Sequence, residues 1–184
     1  GWHLLRRNRR EGEDKRYAAM REEGGPGWAM RSLVTVFWLQ AGLLWIISAP
    51  LLASVTSTAP LGAWGLAGTL VFLVGLAFES LADLQLARFK ADPENRGKVL
   101  DSGLWRYSRH PNYFGEFVLW WGLWLVAVGG GAWWSVVGPL LISFLLLKVS
   151  GVTMLERSIE ETLPGYAEYV RRTSTFVPWP PTDD

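Results

Sequence analysis

Residues 32–78 and residues 117–147 contain no Asp, Glu, Lys or Arg. About 20 apolar residues cross the hydrocarbon core of a bilayer as a helix, so the first run has room for two spans and the second for nearly two. Only helices and closed barrels satisfy their backbone groups in lipid, and runs of this length favour helices. The fold expected is therefore all-α, a polytopic transmembrane helix bundle with about four spans in these 184 residues. Twelve Trp and five Tyr suit interfacial aromatic belts.

The spans can be placed in order. Residues 32–53 make the first, with Gln40 as its one strongly polar side chain and Pro50 near its far end. Residues 61–78 begin the second, which continues through Glu79, Asp83 and Arg88. The third starts near Asn112 and runs to Val128, and the fourth covers residues 132–155, with a kink expected at Gly138-Pro139 and a close contact or break at Ser150-Gly151. All 18 Lys and Arg fall in residues 1–31, 88–109 or 148–184, and neither opposite connection carries any. The positive-inside rule then puts those three segments on the cytoplasmic side of a multi-pass membrane protein. The organisation expected is one membrane domain: a basic segment (1–31), four spans (32–155) with a cytosolic loop at 88–111, and a cytosolic tail (156–184). Because the chain opens at Gly1 with GWHLL, which reads like the last turns of an apolar helix, further spans are expected upstream, about seven in all.

Several chemistries are excluded or disfavoured. Without Cys there are no disulfides, thiolate metal sites or cysteine nucleophiles, and two His make a conventional zinc site improbable. No G-x-S-x-G, P-loop or Rossmann glycine pattern occurs. A net charge of +1 without a basic stripe gives no case for nucleic acid.

What remains is concentrated in residues 103–116, GLWRYSRHPNYFGE. Pro111 disfavours the helical region for His110 and pre-sets its own φ for a first helical turn, so a polar loop should become a membrane helix there. Free amides at that helix start, with Arg106 and Arg109 beside them, form a natural anion site. Glu79 and Asp83, four residues apart, share one helix face, and carboxylates at a bilayer edge more often serve a polar cavity than face lipid. Arg88 and Lys90 follow on the same helix, where ion pairing with those carboxylates is the alternative to cofactor contact. With the protein supplying placement and a cofactor the reactivity, group transfer to a bilayer-dissolved substrate fits these parts best.

The same residues carry a resemblance. GLWRYSRHPNYFGE, preceded by ESLADLQLARFK and followed by SGVTMLE and YAEYVRRTSTFVP, closely resembles steroid 5α-reductase-like membrane proteins, the bacterial DUF1295 group, over about residues 13–178. The RHPNY core is also similar to that of sterol reductases. A related R-x-x-R-H-P-x-Y with a late Y-x-x-Y occurs in isoprenylcysteine and phospholipid methyltransferases. The resemblance implies an NADPH-dependent reductase that passes hydride to C5 of a 3-oxo-Δ4 steroid or similar apolar enone, C4 then being protonated. It implies cofactor contacts from Asp83, Arg88, Lys90, Arg106, Tyr107, Arg109, His110, Asn112, Tyr113 and Glu116. It extends them to Tyr166, Tyr169, Arg171, Arg172 and Thr173 in a tail closing over the phosphates and adenosine, with Arg171 or Arg172 on the 2′-phosphate. Glu116, Tyr113 and His110 are the catalytic candidates. Two departures stand out. The glutamate that polarises the 3-keto group in those enzymes would lie upstream of Gly1, and its partner tyrosine near Trp2 and His3, where no Tyr stands. Animal members lack the RHP triplet, so His110 takes no role from them. The partners expected are substrate and lipid, with the protein a monomer. The alternatives are an S-adenosylmethionine-dependent methyltransferase and a non-enzymatic sterol or lipid binder.

Overall fold

The structure is a computed structural model that describes residues 21, 22, 24–149 and 163–182. The Arg6–Arg10 cluster, Ser150-Gly151 and the tail glutamates Glu156, Glu160 and Glu161 lie outside them. The described residues are helical, with no strand among them. They divide into two units, 1–44 and 45–184.

The first unit holds α1 (Trp28–Ser32), a π-helical turn (Leu33–Trp38) and the start of α2 (Leu39–Ile47), whose last residues belong to the second unit. The sequence predicts one span over 32–53; α2 instead ends at Ile47 and α3 (Ala49–Thr56) restarts with Pro50 in its first turn. Proline has no N–H for the ladder and is tolerated only in a first turn, so the chain breaks and begins again.

The second unit is built on a hairpin of α4 (Ala63–Ala91) and α5 (Pro111–Gly129). Small residues recur every seventh position on both helices: Gly68, Gly75 and Ala82 on α4, Gly115, Gly122 and Gly129 on α5. A methyl group built on Gly75 would lie 2.4 Å from the Leu119 amide nitrogen, and one on Gly122 would lie 2.4 Å from that of Phe72. The two backbones are thus in direct contact, the arrangement small residues allow between helices in lipid. A seven-residue period keeps one seam facing the partner along the whole hairpin.

Beyond α5, a 3₁₀ turn (Trp133–Val136) leads into α6 (Val137–Phe144) and a π-helical turn (Leu145–Val149). Gly138 fits against the break after α2: a methyl there would meet the Ile47 carbonyl at 2.6 Å. Gly138-Pro139, where the sequence predicts a kink, lies in the first turn of α6, directly after the 3₁₀ turn. The tail contributes α7 (Tyr166–Arg172) and an extended segment to Thr182.

Met30–Ile47 and α4 are long and apolar enough to cross a membrane. Only 11% and 22% of their most apolar stretches are buried, the reverse of a soluble core helix. Trp64, Leu70, Leu73 and Val74 stand exposed on α4.

Candidate functional site

Three groups of side chains gather where α4 ends, α5 begins and the tail returns. The loop between the helices is fixed first. Gly103 (φ +61°) turns the chain so that the Leu104 amide donates to Gln85 Oε1 at 2.9 Å. A methyl at Gly103 would collide with that amide group, and a positive φ strains any side chain, so glycine is required here. The turn Gly103–Arg106 then lets the Trp105 indole donate to the Ala82 carbonyl at 3.1 Å. Neither Gln85 nor Trp105 stood out as a functional residue in the sequence.

Ser108, Arg109 and His110 follow, all buried. The Arg109 guanidinium donates to the Val170 carbonyl (2.9 Å) and to Thr175 Oγ1 (2.5 Å), and its backbone amide donates to the Ser174 carbonyl (2.8 Å). Ser108 donates to the Phe176 carbonyl at 2.8 Å and accepts from the His110 amide at 3.1 Å. Tyr169 donates to the Trp105 carbonyl at 2.5 Å. Burial pushes its phenol well above the ordinary tyrosine range, helped by neighbouring Tyr166, so it stays a neutral donor. The Trp179 amide donates to the Tyr107 carbonyl at 2.9 Å, Arg172 pairs with Asp101, and Phe176 packs edge-on against Phe114 and Phe117 of α5. His110 caps α5 and lies stacked on Tyr113 with ring centres 5.5 Å apart.

The first group encloses a cavity of about 450 Å³ between the end of α4, residues 92–100, Trp105 and α7. Of the predicted residues it takes Lys90, Arg109, His110, Tyr166 and Tyr169; Arg96 and Lys98 join the wall, with Phe89 and Trp105 supplying aromatic faces. Arg96 and Lys98 were not among the candidates, although their loop, NRGK, carries two cations around the positive-φ Gly97. A second, polar pocket of about 210 Å³ holds Arg106, Arg172 and Thr173 beside Asp101 and Thr182. The third group lies on the helices: Asn112 Nδ2 donates to Asp83 Oδ1 at 3.1 Å, and Glu79, Asp83 and Glu116 lie within electrostatic reach of one another. Gly115 brings α5 against the backbone of Glu79. Arg88 and Arg171 are exposed and line neither pocket. The structure thus separates the predicted residues into a cationic cavity, a polar side pocket and a carboxylate–amide cluster.

Residues 1–173 match the family described as protein of unknown function DUF1295. The chain belongs to that family. This DUF1295 protein is also 30% identical over 112 residues to a protein of Ustilaginoidea virens named probable O-methyltransferase ustE. The match covers 61% of this chain and 37% of that relative, so the DUF1295 chain corresponds to little more than a third of the fungal protein's length. No solved structure matches it.

Proposed function

We propose that this protein is a multi-pass membrane reductase that takes NADPH in the cavity at the end of α4 and acts on an apolar enone from the bilayer, with a 3-oxo-Δ4 steroid as the substrate type. The observation that carries this is the composition of the cavity wall. Lys90, Arg96 and Lys98 line it, with Asp92 the one acid among the described lining residues, and Phe89, Trp105, Tyr166 and Tyr169 offer ring faces. Cations suit a pyrophosphate and an added 2′-phosphate, and rings suit a base; a volume of about 450 Å³ falls in the range of cofactor sites. Bound there, NADPH would supply hydride. Asp83 precedes Lys90 by seven residues on α4, a rise of about 10 Å. With phosphates held by Lys90, the cluster of Asn112, Asp83 and Glu116 would hold the nicotinamide end. Asn112, held by Asp83, presents an oriented amide there, with Glu116 one turn further along α5. Met30–Ile47 and α4 supply two spans. Helix α5 and the segment Trp133–Val149 complete a four-span arrangement with the cavity on the cytoplasmic side of a bacterial inner membrane.

The likeness to a protein named probable O-methyltransferase favours a second reading, in which the same cavity takes S-adenosylmethionine. Thermal shift of the full-length protein in detergent separates them. Stabilisation by NADPH and not by S-adenosylmethionine supports the reductase, and Lys90→Gln with Lys98→Gln should then remove most of the shift. Stabilisation by S-adenosylmethionine alone replaces hydride transfer with methyl transfer.

A further inference from the structure

A buried guanidinium is costly unless its N–H groups are satisfied. Arg109 is 7% exposed and lines the cavity, yet two of its guanidinium nitrogens point to the tail, at the Val170 carbonyl and Thr175 Oγ1. Val170 lies in the last turn of α7, whose carbonyls have no donor within the helix, so Arg109 completes the end of that helix from outside. Its own amide holds Ser174, one residue earlier Ser108 holds Phe176, and Tyr169 holds Trp105. These bonds fasten α7 and the residues after it to the loop, and α7 carries two of the cavity's ring faces, Tyr166 and Tyr169.

We propose that Arg109 is a positioning residue that latches the tail segment 166–182, and with it the Tyr166 and Tyr169 wall of the cofactor cavity, so that its fork-shaped bonds to Val170 and Thr175, and not its charge, set how long a bound cofactor is retained. The proposal rests on the reading of this cavity as the cofactor site, but the latch itself is testable without any cofactor. A planar guanidinium reaches two acceptors at fixed angles, which an ammonium cannot reproduce. Phosphate recognition in this arrangement falls to Lys90, Arg96 and Lys98, which line the same cavity.

The experiment is amide hydrogen exchange of residues 166–182 in the full-length protein in detergent, first with no cofactor added. Thr175→Val removes one acceptor, changes no charge and lies on an exposed residue outside the cavity. It should speed exchange at the Trp179 and Thr182 amides by about tenfold, the scale of one lost hydrogen bond to a charged group. Arg109→Lys should do the same although it keeps the charge. NADPH dissociation should then be faster in both variants. Unchanged tail exchange in Thr175→Val and Arg109→Lys overturns the latch. Faster tail exchange with an unchanged NADPH off-rate overturns its role in retention. If NADPH does not bind the parent protein, the cofactor reading fails, while the cofactor-free exchange still decides the latch.

Discussion

Replacing Gly122 by Ala adds one methyl group to the seam between α4 and α5, and the structure fixes what that methyl meets. It would lie 2.4 Å from the Phe72 amide nitrogen, 2.7 Å from Phe72 Cα and 2.9 Å from the Gly68 carbonyl oxygen. Ordinary contact begins at 3.4 Å, so the helices must separate locally by about 1 Å. Every obstructing atom is backbone, so no side chain can swing aside. Overpacking of this kind costs about 1–3 kcal/mol. The alanine recovers about 0.5–1 kcal/mol of helix propensity, which leaves a net loss of about 0–2.5 kcal/mol, centred on about 1. For a chain of this length that is a fall of about 2–4 °C in Tm per kcal/mol. Gly42→Ala is the control: Gly42 lies within α2 with no atom within 4 Å of its would-be methyl, so only the propensity gain remains and Tm should rise. Thermal unfolding in detergent, followed by tryptophan fluorescence, reads both. Gly75→Ala with Gly122→Ala should cost less than the sum of the two, because a seam opened once is open for both. A Gly122→Ala protein stabilised as much as Gly42→Ala would refute direct backbone contact in the hairpin.

Tyr169 gives a pH dependence. Its folded phenol holds the proton more tightly than an unfolded one, so its contribution is complete below about pH 10, the ordinary tyrosine value, and declines as pH rises further. The Tm difference between the parent and Tyr169→Phe should therefore be constant from pH 7 to 9 and shrink toward pH 11; a difference that grows with pH would contradict the buried-donor assignment. For Asp83 and Asn112, 3.1 Å apart, Asp83→Ala and Asn112→Ala should be non-additive, with a coupling of about 1 kcal/mol in kcat/KM. Strict additivity would mean that the pair does not act as a unit.

The long elements were legible because their signals are local. Pro111 dictates where α5 starts, and the charge-free run from Leu61 dictates that α4 is apolar for most of its length. The break at Ser48 was less visible, since a proline near a helix end reads equally as the end of one helix or the first turn of the next. The glycine seam was legible in principle: positions 68 and 75, with 115, 122 and 129, keep one seven-residue period. Its meaning depends on two helices being paired, which is not a local property. Arg109 and Gln85 were harder still. Their partners lie 61 and 19 residues away, and nothing in the neighbourhood of an arginine or glutamine says which distant carbonyl or amide it will meet.

The tail is attached to the loop largely through main-chain atoms: the Ser174 and Phe176 carbonyls accept, and the Trp179 amide donates to Tyr107. Every amino acid carries a backbone carbonyl, and all but proline carry the amide. Substitutions at Ser174, Phe176 and Trp179 can therefore change the side chains there while leaving these main-chain bonds intact, whereas Thr175 and Tyr169 anchor through their side chains. A segment anchored in this way can change its sequence at those positions without rebuilding its attachment, whatever the neighbouring cavity takes.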